Sequence, residues 1–480
     1  MIFIVCILAL MAATLTVFDN SAVIFVCCAV GSVCGGWMLY AVLARSSRLR
    51  LTWVLAATLL IGYCFGAFVT EVSSLLAGQD PMTYLGLDRA WAAYALVLVM
   101  LASIVLLLAG WVETPMVQEQ HIVQVSGRQE RFLWISVAVV TAAYLHGSVS
   151  YGGDISQNGN VSIFGDIIFT LVPLLPAMAS VGVAQASGRR RLRFMVLAAV
   201  AFLAVLPFGR RQLLYALIIT FIGVARLSGR TWNLSSRRKV LLTVASVFVV
   251  IVSSFVFYSL RLAAGSTSEG RHSIANILEA AGRTTFKDPG QVAAQLAANV
   301  EERTAFLIRY LAWLGRGGNT PSPLYGQDAA LSVHMATPSI LFRAVGLSKQ
   351  EERGVATEEI LANEHFGLTD TDDANSVLTG GIIDFGLAGV LAYPLIFCAV
   401  ARLVLFLTDE LVNREGRVLA LVAILFLYLQ TEAPIALYLI GLRNLVIILF
   451  CWAILYRLPT VRGRSHPVRA LSSRWAERRV

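Results

Sequence analysis

Charge is scarce in this chain. Of its 480 residues only 14% are Asp, Glu, Lys or Arg, against 57% hydrophobic. That excludes a disordered or purely solvating polymer, which needs high charge and few apolar groups. Acid is scarcer than base: 29 Asp and Glu stand against 38 Lys and Arg, a net charge of +9. Cysteine is sparse, and Cys6, Cys27, Cys28, Cys34, Cys64, Cys398 and Cys451 all fall in apolar runs, where a thiol acts as a small hydrophobe. The long polar segment 261–380 contains none, so it has no disulfide framework. The histidines (His121, His146, His272, His334, His365 and His466) lack zinc-ligand spacing. No Walker A, GxGxxG, HExxH or GxSxG pattern stands in a suitable context, so the reading takes no nucleotide, nicotinamide or metal cofactor.

What the chain has in abundance is apolar run length. Twelve candidate spans occur, roughly at 1–18, 21–44, 51–70, 90–112, 132–148, 161–185, 194–208, 212–225, 240–260, 381–406, 418–431 and 435–456. A bilayer core asks for about 20 apolar residues per helix. Strand-barrel alternation is absent, so helices are the way to satisfy this much backbone in lipid. The expectation is an all-α polytopic membrane protein of about twelve helices. Its first run lacks a basic n-region and a small-residue cleavage site, and is expected to be a retained helix.

The connections divide sharply by charge. Loops 45–50, 113–131, 187–193, 226–239 and 407–417 and the tail 457–480 carry 23 Lys and Arg together, whereas the alternate short loops carry Arg89, Arg210 and Arg211. By the positive-inside rule both termini are cytoplasmic. The net positive charge then belongs to loops near anionic lipid and needs no nucleic acid. The domain reading is nine spans over 1–260, an outer loop over 261–380, three spans over 381–456 and a basic tail over 457–480.

Two of the exceptions are adjacent, in LPFGRRQLLYALIITFIG (206–223). The reading is a solvated outer turn with snorkelling side chains, or an anion site at the outer leaflet. Arginine suits phosphate because its planar fork makes paired, charge-assisted hydrogen bonds. Arg261 follows the ninth span directly, and Arg443 lies in the outer half of the last. For Arg443 the alternative is pairing with Glu432 or Asp384 for helix packing.

Segment 261–380 breaks the short-loop pattern, and loops of this length are commonly functional. It carries 10 Lys and Arg and 14 Asp and Glu, and is read as folded. Asp288 and Pro289 suit a helix start. Ala297, Val300, Thr304, Leu307, Leu311 and Leu314 then recur at helical spacing, flanked by Arg303, Arg309 and Arg316. That helix lies either along the outer membrane boundary or against neighbouring loop elements. Further on, Glu364, His365, Asp370, Asp372 and Asp373 crowd the approach to Asn375. Such a cluster can supply a general base, because histidine titrates near neutrality. A solvated acidic loop is the alternative for each aspartate, and D-T-D-D lacks EF-hand spacing. Gly380, Gly381, Gly386 and Gly389 permit close helix approach.

PFGRRQLLYALIIT resembles the stretch in Wzy-type polysaccharide polymerases and O-antigen ligases where arginines open a periplasm-to-cytoplasm helix. ANSVLTGGIIDFGLAGVLAYPL resembles the segment that closes their large periplasmic loop. Asn375, Phe385, Gly386 and Gly389 match it, whereas Ala374 stands where many members have histidine. The resemblance implies a GT-C-like helical fold in a bacterial inner membrane, with the large loop periplasmic. It implies transfer of a glycan from an undecaprenyl-pyrophosphate carrier to a second lipid-linked glycan, without nucleotide sugar or essential metal. On this reading His365 or Glu364 is the catalytic base, and Arg210, Arg211, Arg261 and Arg443 bind pyrophosphate. Asp372, Asp373 and Asn375 position the acceptor and loop. Membrane lipids, a chain-length regulator and a flippase of the same pathway are the implied partners. The alternatives are an O-antigen ligase and a lipid-linked oligosaccharide flippase or secondary transporter.

Overall fold

The computed structural model describes residues 1–42, 48–76, 78, 87–113, 116–117, 126–145, 163–208, 210–227, 306–345, 364–368, 375–411 and 414–457, with positions 248, 252, 255 and 290. Helices stand at every expected span except 240–260, which lies almost wholly outside the described residues. They are Ile2–Val17, Ser21–Tyr40, Leu51–Leu76, Arg89–Val112, Gly127–Leu145, the pair Ile163–Leu171 and Leu174–Gln185, Gly188–Val205, Arg210–Leu227, Val377–Leu411, Arg414–Leu429 and Ile435–Arg457. Six apolar segments are long enough to cross a membrane: Ser21–Tyr40, Leu51–Leu76, Arg89–Val112, Ile167–Gln185, Val377–Leu407 and Ile435–Ile454. This is the architecture a membrane-embedded helical protein requires, since each helix closes its own backbone hydrogen bonds.

The side chains agree with that setting. Phe3, Leu10, Val33, Leu203, Phe406 and Phe450 are exposed on the outward faces of these helices. Water-facing surfaces seldom carry so continuous an apolar cover, whereas lipid tolerates it. Polar residues begin the helices: Asn20 accepts from the Val23 N–H at 2.9 Å and Asp88 from the Ala90 N–H at 2.8 Å.

Described arginines from the connections near residues 50 and 190, with Arg402, lie at one end of the bundle beside Glu113 and Glu130. Glu113 accepts hydrogen bonds from the Leu51 and Thr52 N–H groups (3.1 and 3.3 Å) and the Thr52 hydroxyl (2.6 Å), capping the third helix. Arg402 approaches the same carboxylate at 3.7 Å. Arg50 donates to the Gly110 carbonyl at 2.5 Å and lies over the Trp53 ring. Glu130 pairs with Arg190 and Arg193 at 3.4 and 3.1 Å. A two-residue antiparallel ladder, Arg48–Leu49 on Met116–Val117, joins two connections.

The long segment diverges from one of its two expected placements. The described part of its predicted helix, 306–315, is no boundary helix with one wet face. Leu307, Ile308, Tyr310, Leu311, Ala312 and Leu314 are all buried. Gly315 and Gly318 lie against Tyr94, and Gly317 against Trp91, so this piece plugs the end of the bundle opposite the arginines. Burial on several faces is what its apolar residues between the periodic positions demand.

Candidate functional site

The expected boundary at 380/381 falls inside a helix. Val377–Leu411 begins four residues earlier, at a cap built by the residues before it. The Ser376 hydroxyl accepts from the Leu378 and Thr379 N–H groups at 3.1 and 3.3 Å, and the Ser376 N–H donates to the Thr379 hydroxyl at 2.6 Å. Asn375 is buried, and its side-chain oxygen accepts from Thr379 at 3.4 Å. Tyr63 reaches the same cap from a π-helical turn, Ile61–Phe65, with its hydroxyl hydrogen-bonded to Ser376.

Eight residues on, the helix breaks. Phe385 (φ −138°, ψ 18°) and Gly386 (φ 59°, ψ −140°) leave helical geometry, and the second of these conformations belongs to glycine. The halves 377–384 and 387–411 touch through glycine: a Cβ on Gly381 would stand 2.5 Å from the Gly389 carbonyl oxygen. A break inside a helix frees carbonyl groups. Here the N–H groups of Leu324 and Tyr325 take those of Ile383 and Asp384, each at 2.9 Å.

A second helix starts at that break. Gln327–Ala336, here the cross helix, packs on Ile435–Arg457 and on the broken helix. Asp384 caps its N-terminal end, accepting from the Asp328 and Ala329 N–H groups at 2.9 and 2.8 Å and from the Tyr393 hydroxyl. Arg443 holds its C-terminal end, donating to the Ala336 carbonyl at 3.2 Å. The guanidinium is aimed by Asn444, which accepts from Nε and a terminal nitrogen at 3.0 and 2.8 Å and donates to Thr170 at 3.0 Å. An anion at the positive end and a cation at the negative end both suit the helix dipole. Arg443 therefore does not pair with Asp384, one of its two expected partners. At least three of its five N–H donors are engaged, so an incoming phosphate would meet a partly occupied fork. Asp328, just inside the cap, is buried beside Asp384, and its carboxyl is pushed up to about 7 by burial first and by that charge second.

The turn that feeds the cross helix also engages a separate short piece, 364–368, which contains His365. Arg316 donates to the Trp313 carbonyl at 3.1 Å and to the Phe366 carbonyl. Phe366 is buried, whereas Glu364 and His365, the two residues just before that anchor, face outward. The His365 Nε2 lies 2.7 Å from the Ser322 carbonyl oxygen. A carbonyl can only accept, so Nε2 carries the proton and Nδ1 keeps the lone pair of the neutral ring. His365 thus belongs to the N-terminal side of the cross helix and Arg443 to its far end. Ten residues of helix make that about 14 Å along its axis.

The remaining expected site residues divide as follows. Arg210 and Arg211 open the helix Arg210–Leu227 just after a 3-10 turn, Leu206–Phe208, while their side chains lie outside the description. Arg261, Asp372 and Asp373 lie outside the described residues. Sequence reasoning missed Asp328, Tyr393 and Asn444, and named Asp384 only as a packing partner. Asp384 had a readable signal, an acid in the apolar run GGIIDFGLAG. Asp328 had little, since the acid in GQDAAL reads as an ordinary first-turn residue. Comparison of the chain with family models, with curated proteins and with solved structures finds no match.

Proposed function

We propose that this chain is a Wzy-type polymerase that joins undecaprenyl-pyrophosphate-linked oligosaccharide repeat units at the periplasmic face of a bacterial inner membrane. The observation that supports the reading most is local. The stretch that resembles the end of the polymerases' periplasmic loop folds as a capped, broken helix. Against its break sits the turn that engages His365, with one nitrogen blocked and the other open.

In the proposed reaction the His365 Nδ1 takes the proton of an acceptor hydroxyl as that oxygen attacks the donor's anomeric carbon. The new glycosidic C–O bond forms as the bond to the carrier pyrophosphate breaks, and both electrons leave with the pyrophosphate. Negative charge grows there, and preorganised cations stabilise it strongly. Arg210 and Arg211 have that role, aided by the positive end of the helix they open. Arg261 joins them from the start of the long segment. Arg443 adds positive charge from the last helix. Asn375 contributes by holding the loop's end, and Asp372 and Asp373 have the role of positioning the acceptor. Neither nucleotide sugar nor metal takes part.

The test is expression of Arg210→Lys, Arg211→Lys and the double alanine variant in a strain deleted for this protein, with membrane levels matched. Lysine offers a point charge in place of a planar fork, so each single change should already reduce polymer. Losing a buried charge contact costs about 2–5 kcal/mol, so the double alanine variant should accumulate single repeats and no polymer. Full-length polymer from that variant would end the pyrophosphate assignment.

The broken helix favours a second reading, a secondary transporter or lipid-linked oligosaccharide flippase. Such proteins bind substrates and coupling ions at interrupted helices, and a carboxylate pair at the interruption suits proton coupling. The side on which single repeats accumulate in the deletion strain separates the two. A lost polymerase leaves them outside, and a lost flippase leaves them inside.

A further inference from the structure

Two carboxylates meet at the N-terminal end of the cross helix, and their surroundings treat them differently. Asp384 accepts from the Asp328 N–H (2.9 Å), the Ala329 N–H (2.8 Å) and the Tyr393 hydroxyl. Three donors and the positive end of a helix thus surround the Asp384 carboxylate. Asp328 is 7% exposed as a residue, and no described residue donates a hydrogen bond to its carboxyl. Its Oδ2 lies against the broken helix, 3.3 Å from where a Cβ on Gly380 would stand. An ionised Asp328 there is desolvated beside a second negative charge, whereas a protonated one is tolerated.

We propose that the Asp328–Asp384 pair is a proton-operated latch: with Asp328 protonated the first turn of the cross helix stays docked on the helix break, and loss of the proton releases it. The turn that carries Asp328 also supplies the N–H groups that hold Asp384. Leu324 and Tyr325, just before it, supply those that hold the Ile383 and Asp384 carbonyls. Repulsion between the carboxylates therefore acts on all four docking hydrogen bonds at once. From the broken helix, Asp384 and Tyr393 face Asp328. The last helix brings Arg443, but to the other end of the cross helix, where His334 also lies. Glu432 stands on the segment leading into the last helix, and Asp384 is the charge that shifts Asp328. The latch is a property of the fold and does not rest on the proposed reaction.

The sign follows from proton affinity. Docked, Asp328 has a pKa pushed up to about 7 by burial and by Asp384. Released into water it is an ordinary aspartate near about 4. The docked state binds the proton more tightly, so docking is strongest below about pH 4, weakens as pH rises and stops changing above about 7.

Amide hydrogen exchange on the whole protein in detergent micelles, stepped from about pH 5 to pH 8 and corrected for intrinsic exchange, tests this. For peptides covering 324–330 the opening equilibrium should rise by close to tenfold per pH unit at first and level off above about 7. Peptides from Arg89–Val112 should show no such slope. Asp328→Asn keeps the shape and cannot ionise, so its profile should be flat. A flat wild-type profile, or a wild-type slope in Asp328→Asn, would overturn the latch. Asp384→Asn removes the repelling charge, so any opening midpoint it shows should move to lower pH. An unmoved midpoint in that variant would overturn the role given to Asp384. Should Asp384→Asn fail to fold, the wild-type and Asp328→Asn profiles decide alone.

Discussion

His365 is the residue whose chemistry its surroundings define most closely. The Ser322 carbonyl holds the Nε2 proton, Phe366 anchors the neighbouring backbone, and Nδ1 is left for proton transfer. Glu364 is its exposed neighbour and the competing base. If one of them activates the acceptor hydroxyl, His365→Ala or Glu364→Gln should lower polymer formation by about 10²–10⁴-fold. Donor binding should remain, because neither residue is assigned to pyrophosphate. Wild-type polymer from both variants, measured on membranes with equal protein levels, would leave the arginines as the main catalytic term. Arg443 is tied into the fold, its N–H groups donating to the Ala336 carbonyl of the cross helix and to Asn444. Loss of activity in an Arg443 variant is therefore informative only where the fold is shown to be intact.

At the scale of elements, glycine decides the geometry of the break. Gly386 has a conformation closed to L residues, and Gly381 and Gly389 bring two backbones into contact. Gly386→Ala should destabilise the protein by about 1–3 kcal/mol through backbone strain alone. Gly389→Ala should cost more, because its Cβ would overlap the Gly381 carbonyl and force the half-helices apart. Gly36→Ala is the control: nothing lies within 4 Å of the added methyl, so it should be neutral or slightly stabilising. Thermal unfolding of the purified protein in detergent ranks the three. Equal midpoints for Gly36→Ala and Gly389→Ala would show that the break is not held by close packing.

For the whole molecule, the decisive question is which end faces outward. Arg50, Arg190, Arg193 and Arg402 share one end with Glu113 and Glu130, and the described part of segment 261–380 covers the other. A cysteine at Ser332 would be a poor probe, because that side chain is fully buried. Asn319 and Ser187 are exposed at opposite ends and serve better. In a chain whose native cysteines are replaced, Asn319→Cys should react with a membrane-impermeant thiol reagent in intact spheroplasts. Ser187→Cys should react only after lysis. The reverse pattern would remove the proposed function, since the reaction requires the long segment outside.

The sequence by itself determined the helical class and roughly where the six helices long and apolar enough to cross a membrane lie. Both follow from local facts: apolar run length sets a membrane helix, and capping residues set its ends. It also marked His365 and the glycines around the break, because an ionisable residue near an apolar segment and a glycine cluster are visible without knowing their neighbours. Tertiary structure alone decided that Asp384, Asp328, Tyr393 and Arg443 serve one cross helix, over separations of up to 107 residues. It also decided between the two expected placements of the predicted helix, making its described part, 306–315, a buried piece. The reason is the same in both cases. A hydrogen-bond partner or a covering surface lies far along the chain, and no periodicity or spacing encodes which distant residue will supply it.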